Sequence, residues 1–213
     1  MTNSSAAGRL LTKLKNDPEI SYVVHVAHRN QANKITIRSH SDIDLSTLAN
    51  SSNGVIHSHN TRTSTRTRGT SGHSAKKNFA KSILEALAIP GTSNLLLCVA
   101  WVTKQQKEWF SKYPSTLSLD VTHNTNAEKR PLARGTVKTG NKNTVPVVNC
   151  FMAAESTWVW DWLLDDAFPK LFGKELLGKV RMVLTDQDSQ CISMVEKQIS
   201  SGYWKQAKYR LCG

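Results

Sequence analysis

Residues 115–121 read STLSLDV and residues 180–186 read VRMVLTD. Each is a short apolar segment with the composition of a β-strand, and each carries an acid at its C-terminal end, Asp120 in the first and Asp186 in the second. Between them the pattern predicts two more strands and one helix. Residues 132–138 (LARGTVK) read as a strand, residues 139–143 (TGNKN) as a turn, and residues 145–154 (VPVVNCFMAA) as a third strand. A helix is predicted from about Thr157 to Phe172, capped by Ser156 or Thr157, with Trp158, Trp162, Leu163, Phe168 and Leu171 on its apolar face. The order is therefore β-β-β-α-β, with acids on the first and fourth strands, and it can bring two carboxylates together on neighbouring strands. Carboxylates paired in this way hold divalent metal for phosphoryl-transfer chemistry.

Working outward, a helix follows Asp186 through Ile192, Val195 and Ile199, and a fifth strand starts at Tyr209. Upstream, residues 79–89 (FAKSILEALAI) have helical spacing and stop at Pro90-Gly91. Residues 95–102 (LLLCVAWV) form a continuous apolar run of strand length, and Thr103 can cap the next helix, KQQKEWFSKY, which ends before Pro114. Trp101, Trp109 and Phe110 read as core. Residues 1–50 hold a short helix around Leu10–Leu14 and an alternating strand pair, 21–28 and 34–38, so they are read as a small hairpin-bearing module. Residues 51–78 are rich in Ser, Thr, Arg, Gly and His and nearly free of apolar residues, the composition of a basic linker. The domain reading is 1–50, 51–78 and 79–213.

The formal net charge is +12 in 213 residues. The simplest physical reading of that excess is an anionic partner, most plausibly nucleic acid, against a basic surface that only aids solubility. The four cysteines, Cys98, Cys150, Cys191 and Cys212, form no CxxC pair and no disulfide framework, which points to a reducing compartment. No run approaches the ~18 apolar residues of a membrane-spanning helix, and the first residues lack the basic-then-apolar pattern of a signal peptide.

The run SLDVTHNTNAEKRPL, then VPVVNCFMAAESTWVWDWLL, then VRMVLTDQD resembles the transposase domain of Mutator-like elements, the MULE transposases. The matching residues are Asp120, Thr125, Asn126, Pro131 and Leu132, then Glu155 before Trp158, Trp160 and Trp162, then Thr185-Asp186. The resemblance covers about residues 95–213. It implies a DDE-type enzyme on an RNase H-like α/β fold, preceded here by a basic, partly flexible region. It also implies metal-dependent DNA strand cleavage and transfer with Mg²⁺ or Mn²⁺, transposon ends and target DNA as partners, a homo-oligomer, no membrane, and a nuclear location. The family's third acid and a Cys-x-x-His element lie further downstream. With the chain ending at Gly213, the resemblance implies a fold incomplete at its C-terminus and a transposase inactive in this form. The alternative is a domesticated, non-catalytic DNA-binding or transcription factor of transposase ancestry.

In this reading Asp120 and Asp186 are both the catalytic residues and the metal ligands. Their ordinary roles would be an Asx-turn for Asp120 and a helix N-cap for Asp186. Asp188 and His123 are weaker candidates. Asp188 would otherwise be a first-turn acid facing the helix dipole, and His123 a loop residue. Glu196 could stand in as a third ligand only if its helix faced the site. The DNA-backbone candidates are Arg62, Arg66 and Arg68 in the linker, and Lys129, Arg130, Arg134, Lys138 and Lys142 around the second strand. His57, His59 and His73 are the residues from which a zinc site would have to be built.

Overall fold

The computed structural model describes residues 6–29, 35–40, 94–125 and 130–211. The linker with Arg62, Arg66, Arg68 and the histidines, the helix predicted at 79–89, Asn126, Lys129 and Cys212 lie outside the described residues.

The described strands form one sheet. They are β1 (Ile20–Arg29), β2 (Ile35–His40), β3 (Asn94–Thr103), β4 (Thr116–Thr122), β5 (Leu132–Lys138), β6 (Thr144–Phe151), β7 (Met182–Thr185) and β8 (Lys208–Leu211), in the order β2-β1-β3-β6-β5-β4-β7-β8. The order predicted from the sequence is present: β4, β5 and β6 are antiparallel neighbours, and β7 and β8 join β4 in parallel. β1 pairs antiparallel with β3 from Ile20↔Thr103 to His28↔Asn94, so the hairpin read as a module of its own continues the sheet of the C-terminal half. β1 (ISYVVHVAHR) is long and rich in β-branched residues, and it packs on both sides, Val23 and Ala27 in one core and Val24 and Val26 in the other.

The described α-helices are α1 (Ala6–Asn16), α2 (Lys104–Lys112), α3 (Thr157–Trp162), α4 (Phe168–Phe172), α5 (Lys174–Leu177) and α6 (Ser189–Ser200). α2 begins with a capping box: Thr103 Oγ1 accepts from the Gln106 N–H, and Gln106 Oε1 accepts from the Thr103 N–H. The helix expected over 157–172 is broken by a π-helical segment, Leu163–Ala167, before α4. Pro169 sits at the start of α4, where it has no N–H to give to the preceding turn.

The main core lies under one sheet face, where Leu117, Leu119, Val137, Val148 and Val183 meet Trp160, Leu164, Phe168 and Val195. A smaller core on the opposite face joins Leu11 and Leu14 of α1 to Val24, Val26, Leu96 and Val99. Among the described residues no helix is long and apolar enough to cross a membrane.

Candidate functional site

The parallel register of β4 and β7 ends at Leu119↔Thr185; the next residue of β4, Asp120, is still within the strand, and Asp186 is the first residue past β7, so the two follow neighbouring positions on strands about 4.8 Å apart. Strand alternation turns Asp120 away from the buried face, while Asp186, one residue past β7, has its Oδ1 accepting from Thr185 Oγ1 at 3.5 Å. Leu117, Leu119, Val183 and Thr185 are buried, whereas Asp120 and Asp186 are exposed. Asp120 also faces Arg134, its register partner on β5. Asp186 Oδ1 accepts the Asp188 N–H at 3.1 Å, an Asx-type turn that carries the chain from β7 into α6.

The N-cap of α6 is therefore Asp188, not Asp186. Its Oδ1 accepts from Gln190 N at 3.0 Å, and its Oδ2 from Cys191 N at 3.3 Å and from the indole N–H of buried Trp160 at 3.1 Å. Three donors on one carboxylate make Asp188 a structural anchor that ties α6 to α3. Gln190 repeats the tie: its Oε1 accepts the Thr157 N–H at 2.7 Å, supplying the cap that Ser156 does not give, and its Nε2 donates to the Glu155 carbonyl.

That loop brings in a residue not singled out as a site residue from the sequence. Glu155 Oε1 pairs with His123 Nε2 at 2.8 Å. Burial pushes the Glu155 carboxyl up, His123 holds it down, and the Asp188 and Asp186 charges push it up again. The only signal in the sequence was the Glu before the Trp-rich helix. Nothing local says that it meets His123, 32 positions upstream in another loop.

Arg134 remains at the surface, its Nε donating to Asn149 Oδ1 at 3.3 Å, and Lys138 and Lys142 are exposed. Arg130, expected at the DNA backbone, is instead turned inward, donating to the Leu97 carbonyl at 2.8 Å and the Leu96 carbonyl at 3.1 Å. β3 pairs with β6 only over Val99–Trp101, so the guanidinium serves carbonyls beyond that pairing. Glu196 accepts from Tyr209 Oη at 2.8 Å on the outer side of α6 and does not join the site. Asp161 and Asp165 hold Lys197, and Asp166 pairs with Lys170. Cys98, Cys150 and Cys191 are free buried thiols, and burial pushes Cys98 and Cys191 up to about 12.

Among the described residues no group of three or more His, Cys, Asp or Glu stands close enough to hold a metal ion. Asp120, within β4, and Asp186, just past β7, are two exposed carboxylates on adjacent strands. That set does not make an all-protein cage. It does suit Mg²⁺, which takes one or two carboxylates together with water and substrate phosphates.

Strand order, mixed pairing and helix placement define an RNase H-like domain. The chain belongs to the family described as zinc finger SWIM domain-containing protein 1/3, RNaseH-like domain, whose model matches residues 73–201. The match runs through β3 to α6 and leaves α1, β1, β2 and β8 outside. No curated protein and no solved structure matches the chain.

Proposed function

We propose that the chain is a DNA-binding RNase H-like domain of the Mutator-like (MULE) transposase lineage, acting in the nucleus. Asp120 and Asp186 are its ligands for Mg²⁺ or Mn²⁺ against a DNA phosphate. The observation that supports this reading is the β4–β7 register, which ends at Leu119↔Thr185, one residue before each acid. The net charge of +12 supports a polyanionic partner. When bound, the cation neutralises phosphodiester charge and activates an attacking water or 3′-hydroxyl. The chain's own part is to hold Asp186 in place through the Asp188 N–H and to present Asp120 beside Arg134.

A second reading, a non-catalytic DNA-binding protein of the same ancestry, is favoured by one observation. Asp188 is fully committed to α6 and Trp160, and Glu155 to His123, so neither is free to complete a three-ligand site.

The experiment is a pair of assays on one preparation: DNA binding by fluorescence anisotropy, and nicking of supercoiled plasmid with Mg²⁺ or Mn²⁺. Metal-dependent nicking abolished by Asp120→Asn supports catalysis. DNA binding that survives Asp120→Asn with Asp186→Asn, without nicking, selects the second reading. Absence of DNA binding at moderate salt overturns both.

A further inference from the structure

The strand registers place the side chains of the face opposite the main core in ordered rows. Across β5, β4, β7 and β8 one row is Lys138–Thr116–Met182–Lys208. The next, two residues along, is Thr136–Ser118–Leu184–Arg210, and above it stand the register partners Arg134 and Asp120, with Asp186 just past the end of β7. Every residue of these rows is exposed or half-buried, while their alternates Leu117, Leu119, Val137 and Val183 are buried. On this face α1 covers β1 and β3, and among the described residues no helix lies over β4, β7 or β8.

The charges on this open face are sorted. The cations stand on the two flanking strands of these four, Arg134 and Lys138 on β5 and Lys208 and Arg210 on β8, and beyond β5 the rows continue on β6 with the uncharged Thr144, Pro146 and Asn149. The two middle strands carry hydroxyls and the half-buried Met182 and Leu184, with no charge until the acids at the top. The face is thus a trough between two cationic walls, and its axis runs along β4 and β7 toward Asp120 and Asp186. The walls are three strand spacings apart, about 14 Å between backbones, and long cationic side chains narrow that further. The major groove of B-form DNA alone is about 12 Å wide, so a whole duplex does not fit between them. A single strand does. Cations and hydroxyls contact its phosphates, and the apolar centre takes its bases.

We infer that the open face of β5-β4-β7-β8 is a binding surface for one single-stranded nucleic acid, which it leads toward Asp120 and Asp186. Lys208 and Arg210 form the wall that no sequence motif marked. The inference rests on the proposed DNA-binding function and adds the strandedness of the partner and the surface that holds it.

The test is fluorescence anisotropy with a labelled oligothymidylate, the matching oligouridylate and a duplex of equal length, over a salt series. Wild type is compared with Lys208→Gln plus Arg210→Gln. A charge-matched control, Lys174→Gln plus Lys205→Gln, alters exposed cations off this face. Circular dichroism melts show that each variant is folded. The expected result is tighter binding of a single strand than of duplex. The β8 variant should lose about tenfold in single-strand affinity, with the log–log salt slope shallower by about 1.4, while the control stays near wild type. The uridylate arm shows whether the strand held is DNA, RNA or either. If the β8 variant and the control behave alike, or wild type favours duplex, this surface is refuted and general DNA binding stands. If wild type binds none of the probes, the proposed function fails, and this inference with it.

Discussion

Replacing Asp188 by alanine tests whether its carboxylate anchors α6 to α3. Its carboxylate caps α6 through two backbone N–H groups and also accepts the indole N–H of Trp160, which is 1% exposed. Loss of an N-cap costs about 1 kcal/mol. An indole N–H left buried without a partner costs about 1–3 kcal/mol more. Removing a negative charge near Glu155 and Asp186 returns a few tenths of a kcal/mol, as expected for partly exposed charges. The net expectation is about 2–3.5 kcal/mol of destabilisation. Urea denaturation, followed by tryptophan fluorescence and circular dichroism, measures it. The decisive comparison uses Trp160→Phe as background. With no indole N–H left to strand, Asp188→Ala should there cost only the cap, about 1 kcal/mol, so a coupling of about 1–2.5 kcal/mol separates the two backgrounds. If Asp188→Ala costs the same in both, Trp160 does not depend on Asp188 and the anchor role is wrong. Because the Asp188 N–H holds Asp186, Asp188→Pro, which removes that donor, should also weaken metal-dependent DNA binding more than Asp188→Ala.

Two further predictions follow from packing and titration. His25, stacked near Trp158 and Trp162, bonded to Ser39 and near Asp166 and Lys170, is lowered by burial to about 4. Its neutral form is the folded one, so its contribution is full above pH ~6.5 and falls away as pH drops toward about 4, by about 2 kcal/mol after discounting for its partial exposure. Unfolding free energies at several pH values check this, and His25→Phe should flatten that window. At Gly135 an added Cβ would lie 2.5 Å from Val148 Cγ1. Gly135→Ala is expected to cost about 1–2 kcal/mol, with Val148→Ala in the same chain recovering part of it; a purely additive double mutant would argue against this clash.

Much of the fold was legible in the chain because its signals are local. Alternation along STLSLDV and LARGTVK, the helix cap at Thr103 and the breaks at Pro114 and Gly140 each depend on a few neighbouring residues. The π-helical segment inside 157–172 and the short α5 escaped that reading, because one extra residue per turn changes no period visible over so short a stretch. The acids of the STLSLDV and VRMVLTD segments were readable as a pattern, and the parallel register that ends at Leu119↔Thr185 brings their strands together. Other choices lay beyond any local pattern. That Asp188 rather than Asp186 caps α6, that Glu155 meets His123, that Arg130 turns in to β3 while Arg134 stays out, and that β1 extends the sheet are all long-range pairings. A strand's sequence says which of its faces is apolar. Only its neighbours decide the register that puts a given charge beside a given partner. The sequence by itself thus determined the elements, the acids and the excess of positive charge. The tertiary structure decided which carboxylates are taken up by helix caps and ion pairs and which strands carry the exposed cations.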